Sequence, residues 1–324
     1  MRSALTAAGV LLALVAPAPA EPALAPTDRV LLAETFRLAS ELGEEIWPGW
    51  GVAPWEVLLV GEEHEYLVNS PRRPEGFADL GRDELIDGNV LVRARTVPAN
   101  LRATFPILGG PPVVVVGRPE ATGLDPTAWL AVVLHEHFHQ LQMSDTAYYA
   151  DVEALALAGD DDSGQWMLDF PFPYDDPEVE ARFAGLCTAI RAVLAGQVPA
   201  VWVAEAMSSL AVVLPDDAYR YLGFQLWQEG VARYVQYRAA RLAGERFEPS
   251  PELVALPGYR PFSEVAAELE REILSELAEP RLAERRRVAF YAAGAGLAML
   301  LEKQSPGWRG GYMKRKFALE GLLP

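Results

Sequence analysis

The chain has 324 residues, of which 51% are hydrophobic and 23% charged. That is the balance of a folded protein with a sizeable core, and it excludes a mainly disordered chain and a polytopic membrane protein. Lys and Arg number 28 against 45 Asp and Glu, for a formal charge of −17. This argues against nucleic acid as a partner, since its phosphates need a basic face, and against adsorption to anionic lipid.

Residues 1–20 read as a secretory signal peptide. Arg2 gives a positive start, residues 4–15 form an apolar run, and Ala18-Pro19-Ala20 supplies small residues before a cleavage point. An N-terminal anchor helix is the competing reading, but the run is short for a bilayer span. The expected location is therefore secreted or periplasmic, with bacterial-type export and no stable membrane span once the leader is removed. Cys187 is the single cysteine, so no internal disulfide can form. It falls on the apolar face of a helix at residues 179–194 and reads as a buried core thiol.

The mature chain begins with a Pro/Ala-rich stretch at residues 21–26. Apolar spacing then predicts a helix over residues 28–46, stopped by Pro48. Residues 55–60 and 65–68 read as two strands of a hairpin, with His64 in its turn. Residues 89–94 read as a third strand, and 113–116, four consecutive valines, as a buried one. After Gly123 the pattern becomes helical. Asp125 caps and Pro126 opens a helix over residues 127–143. Residues 145–176 read as irregular, acidic and aromatic. Further helices are expected at residues 177–194, 217–243, 263–279 and 281–302. The expected fold is α+β, a small N-terminal β-sheet lobe (residues 21–120, with the first helix) packed on a mainly α-helical lobe (residues 121–324), together one unit. Asp160-Asp161-Asp162-Ser163-Gly164 lacks the spacing of a calcium loop and reads as solvated. The stretch from Trp166 to Tyr174 is unusually aromatic for a loop, and could line a cleft or plug an apolar patch.

The informative motif is H-E-x-x-H at His135, Glu136 and His139. On a helix, positions i and i+4 lie one above the other, so both imidazoles can reach one ion. Zinc accepts imidazole nitrogen, and Glu136 beside the first ligand can take a proton from water. The competing reading is an amphipathic helix that happens to carry histidines. A catalytic zinc needs a third protein ligand, and no histidine follows position 139, so it must be a carboxylate. Glu229 is the candidate. It sits in a predicted helix directly before Gly230, a residue costly in a helix interior but suited to close approach of another backbone, such as a helix sharing the metal. The bland alternative is a surface Glu paired with Arg233 one turn on. His137, on the other side of the motif helix, reads as a hydrogen-bonded packing residue.

H-E-x-x-H followed by a helical Glu-Gly-x-Ala-x-Tyr, here Glu229 to Tyr234, resembles the gluzincin zinc peptidases, the group of thermolysin and the zinc aminopeptidases. The resemblance implies His135, His139 and Glu229 as zinc ligands and Glu136 as general base. It also implies a small sheet whose edge strand flanks the cleft, and a peptide or protein substrate cut by a zinc-activated water. The aminopeptidases use a tyrosine well after the Glu to share oxyanion charge. Tyr291 is its closest analogue here, with Tyr234 and Tyr237 as rivals. The gap from His139 to Glu229 is far longer than in thermolysin, the late histidine of thermolysin is absent, and so is the Gly-x-Met-Glu-Asn motif of the large aminopeptidases. The alternative to an enzyme is a catalytically inactive zinc-binding or peptide-binding exported protein of the same fold.

Overall fold

The structure, a computed structural model, describes residues 22–161, 163–305 and 307–324. The leader reading at residues 1–20 lies outside them, as does Asp162 of the acidic loop. Helix α1 (Pro26–Ile46) precedes six strands: β1 (Val57–Val60), β2 (His64–Val68), β3 (Ala78–Asp83), β4 (Gly88–Ala94), β5 (Arg102–Phe105) and β6 (Val113–Gly117). The main helices that follow are α2 (Pro126–Ser144), α3 (Pro177–Leu194), α4 (Val201–Val213), α5 (Asp216–Gln225), α6 (Val231–Arg246), α7 (Phe262–Ala278) and α8 (Ala289–Gln304). The fold is α+β, as expected. Among the described residues, no helix is long and apolar enough to cross a membrane.

The strands form one sheet in the order β3-β4-β2-β1-β6-β5. β1 and β6 run parallel, and every other neighbouring pair is antiparallel. Side chains alternate across a strand. Val57, Leu59, Val114 and Val116 therefore join the main core under the helices. Leu58, Val60, Val113 and Val115 form a smaller cluster on the far face, covered by Phe77, Leu101 and Ile107. Burial on both faces is why residues 113–116 read as an unbroken apolar run. Helix α1 bridges the two parts of the chain, packing on α2 and α6.

Three departures from the sequence reading have physical causes. β3 and β5 are short edge strands, and their mostly exposed or half-buried positions carry too few large apolar residues to stand out. α4 is apolar nearly all round, so it lacks a helical stripe. The helix expected over residues 281–302 is broken. A short turn, Leu282–Arg285, ends at Arg286, whose φ of 54° and ψ of −136° are strained for a residue with a Cβ, and α8 starts at Ala289. Such a conformation costs about 1–3 kcal/mol. His64 is half-buried and opens β2, paired with Ala94, rather than sitting in the turn. Cys187 is buried on α3, as expected. The aromatic stretch is a plug. Phe170 stacks on Tyr221 at 4.5 Å, and Phe172 and Tyr174 pack against Phe290 of α8.

Candidate metal centre

Helix α2 carries the H-E-x-x-H motif, and its position is fixed at both ends. The Asp125 carboxylate accepts from the Ala128 amide, capping the first turn. Trp129 Nε1 donates to the Gly117 carbonyl at the end of β6 at 2.7 Å. Near the other end, Gln140 Nε2 donates to the carbonyls of Glu56 and Pro112, just ahead of β1 and β6. His137 holds that amide in turn, with Nδ1 2.7 Å from Gln140 Oε1 and its ring stacked 3.5 Å from Trp55. His137 is thus the buried packing residue its place in the motif implies, and it ties the helix to the sheet.

Glu229 arrives from the opposite side, on a feature the sequence does not announce. Between α5 and α6 the helix widens into one π-helical turn, Leu226–Gly230. Such turns insert an extra residue and recur at functional sites. A widened turn leaves carbonyls to satisfy. Here Gln142 Nε2 donates to Gln228 O at 3.0 Å, and the Tyr312 hydroxyl donates to Trp227 O at 2.7 Å. Gly230 does mark a close backbone approach, but the approaching backbone belongs to α8, not to the motif helix. A Cβ on Gly230 would lie 2.4 Å from Gly294 Cα. Arg233 pairs with Glu272 at 2.5 Å, so Glu229 is not half of a helical ion pair with it.

His135, His139 and Glu229 come together. The two Nε2 atoms lie 3.2 Å apart, and Glu229 Oε2 lies 3.5 Å from His139 Nε2 and 3.9 Å from His135 Nε2. A tetrahedral ion with bonds of about 2.0–2.2 Å needs ligand atoms about 3.3–3.6 Å apart. The triangle matches that within a few tenths of an ångström, and two imidazoles with one carboxylate are a donor set that zinc accepts. His139 Nδ1 lies 2.6 Å from Gln142 Oε1, which accepts its proton and leaves Nε2 free to face the carboxylate. The Gln228 amide sits 3.1 Å from the same Nδ1, and its oxygen accepts from the Tyr148 phenol. The backbone of Ala232 lies beside His135, whose buried Nδ1 closes no hydrogen bond.

Charge in the cluster follows from burial and proximity. Burial and then His139 press His135 down to about 3. Burial would also lower His139, but the Glu229 carboxylate reverses that and carries it up to about 9. For Glu229, burial pushes upward and the histidines, His139 first, bring it down to about 2. Glu136 is different. Burial raises it to about 7, and its Oε2 accepts from Thr104 Oγ1 at 2.9 Å. A carboxylate balanced near neutrality can both take and return a proton. Thr104 belongs to β5, the edge strand, which therefore borders the cluster.

Of the three tyrosines, only Tyr291 is at the centre. It lies beside Glu229 and accepts from Arg287 Nη1 at 2.6 Å; burial first, then Glu229, raises its phenol well above the ordinary value, so it stays a donor. Tyr234 and Tyr237 face a separate cavity of about 670 Å³ bounded by α3, α6, α7 and α8. Thr104, Gln142, Gln228, Tyr312 and Arg287 were not found from sequence. Thr104, Gln228 and Tyr312 bond to partners far along the chain, Gln142 to both His139 and the distant Gln228, and Arg287 to Tyr291 one turn on; none belongs to a spaced motif. Glu229, Arg287 and Tyr291 are half-buried, whereas His135, Glu136 and His139 are buried, so the cluster meets solvent on the Tyr291 side. No protein-family model, curated protein or solved structure matches this chain.

Proposed function

We propose that this chain is an exported zinc-dependent hydrolase, a peptidase of the gluzincin kind. The observation that carries the reading is the convergence of His135, His139 and Glu229 on one point, with the Glu136 carboxylate beside it. His135, His139 and Glu229 would hold the zinc, which when bound supplies a Lewis acid for the scissile carbonyl. Glu136, its carboxylate kept near neutrality by burial, takes a proton from the attacking water and returns it to the leaving amine. Thr104 steers that carboxylate, and Tyr291 donates to the oxygen on which negative charge develops. Export rests on the sequence of residues 1–20.

The near-complete burial of His135, Glu136 and His139 favours a second reading, a chain that holds zinc and binds peptide without turnover. One experiment separates the two. The parent protein and Glu136→Gln are assayed for zinc by elemental mass spectrometry and for cleavage of a pooled peptide library. The hydrolase reading expects about one zinc per chain in both. It expects cleavage in the parent only, lower by about 10²-fold or more in the variant. Equal cleavage in both overturns the mechanism. Zinc without cleavage in either leaves the second reading.

A further inference from the structure

We propose that Arg287 anchors a carboxylate of the substrate next to the reacting carbonyl, so that the preferred substrates are peptides with an acidic group at the cut; this rests on the hydrolase reading of the same centre. The guanidinium is half-buried and donates to the Tyr291 phenol at 2.6 Å. The carboxylate whose charge acts on it most is Glu229. Glu229 is also the acid that faces both imidazoles. With its charge committed to a metal, Arg287 has no remaining counter-charge, and a half-buried cation in that state favours an incoming anion.

The neighbouring basic groups differ in this respect. Arg286 pairs with Asp175 and lies over the Tyr174 ring. Arg233 is held by Glu272. Arg102, exposed on the edge strand β5, acts on Glu136, whereas Arg287 lies beside both Glu229 and Tyr291 and follows directly on the strained backbone of Arg286 that breaks the helix there. A planar guanidinium with one side spent on Tyr291 retains N–H groups for a carboxylate. The site thus presents a fixed cation on its solvent side, in a chain whose net charge is −17.

Two substrate groups share this chemistry: the α-carboxylate of a chain end and an Asp or Glu side chain. The test uses zinc-loaded Glu136→Gln, which retains bound peptide. Acetylated tetrapeptide pools are offered as free acids and as C-terminal amides, with and without Asp or Glu, and the retained peptides are read by mass spectrometry. Zinc content is measured on the same samples. A chain-end anchor enriches free acids over amides by about ten- to a hundredfold, as expected for a charge-assisted pair. A side-chain anchor enriches Asp or Glu peptides in both pools. Adding Arg287→Met removes the enrichment while zinc and thermal midpoint stay, and Arg287→Lys keeps part of it. No enrichment, enrichment that survives Arg287→Met, or no peptide retained at all overturns the proposal. Turnover of acids, amides and neutral peptides at equal rates by the parent overturns it too and leaves the hydrolase standing. Acid enrichment on a chain that cleaves nothing does the reverse.

Discussion

The crossing of the π turn with α8 is the most exacting contact behind the candidate centre. A Cβ at position 294 would sit 2.4 Å from the Leu226 carbonyl oxygen and 2.6 Å from Gly230 Cα, both backbone atoms that cannot rotate away. Ordinary contact begins at 3.4 Å. Gly294→Ala must therefore push the π turn and α8 apart by about 1 Å, an overpacking that costs about 3 kcal/mol. Alanine's better helix propensity returns about 1 kcal/mol, leaving a net loss of about 2 kcal/mol. Gly296→Ala is the matched control two residues on. Its Cβ would meet Ile190 Cγ2 and Leu277 Cδ1 at 2.8 Å, side-chain methyls rather than backbone, of which the leucine one can turn away and the stiffer β-branched isoleucine must shift slightly. Its expected change is under about 1 kcal/mol, because the propensity gain offsets a local repacking. Thermal unfolding in EDTA reads the stability without a metal contribution. For a chain of this size the Gly294→Ala midpoint should fall by about 3 °C, while Gly296→Ala stays near the parent. Glu229 immediately precedes Gly230, so a 1 Å shift also opens the triangle of donors, and competitive titration should show zinc affinity lower by about tenfold or more. A Gly294→Ala protein as stable and as zinc-tight as Gly296→Ala would refute the argument that this crossing sets the position of Glu229.

Gln142→Leu removes the acceptor of the His139 Nδ1 proton and the donor to Gln228 O, so zinc affinity should fall by about 10–100-fold, measured by chelator competition. Cys187 is buried, and burial lifts its thiol to about 12; a disulfide-exchange reagent should leave the native chain untouched at about pH 8 and label it fully in denaturant. Burial would raise Glu302, but Trp308 Nε1, Arg238 and Arg309 bring it below its ordinary 4.5. A lowered carboxylate stabilises the fold above the unfolded value, and the contribution is lost as pH falls through the folded one. The stability gap between parent and Glu302→Gln should therefore be present at about pH 7 and shrink as pH falls below the ordinary carboxylate range; a gap of constant size would remove the ion-pair explanation.

What the sequence discloses is local, and what it withholds is long-range. The capped start of α2, the valines of β6 and the i, i+4 histidines each follow from residues within one turn or one strand. The helices at residues 28–46, 177–194 and 263–279 differ from α1, α3 and α7 by no more than two residues at any end, because amphipathic spacing survives without knowledge of neighbours. The π turn leaves no such trace. Its extra residue is tolerated because Gln142, Tyr312 and Gly294 accommodate it, and none of these is near it in the chain. β5 is invisible for a related reason. Arg-Ala-Thr-Phe is only four residues long with one large apolar side chain, and it becomes a strand by pairing with β6, which puts Thr104 beside Glu136. The aromatic run from Trp166 to Tyr174 was ambiguous for want of its partner, and Phe290 and Tyr221 supply it.

The hydroxyl of Tyr312 has a consequence for the order in which this molecule can be completed. It bonds to Trp227 O, 85 residues earlier, and receives from Gln142, 170 residues earlier. All three candidate ligands are synthesised long before it. A nascent chain still tethered before residue 312 already contains both histidines and the glutamate, yet lacks the hydroxyl that closes the widened turn behind Glu229. The arrangement of the candidate ligands is then braced only once residue 312 has joined the fold. A fragment ending at about residue 305 should retain the motif yet lose the brace behind Glu229, so the position of that carboxylate depends on a side chain far from the motif helix in the chain.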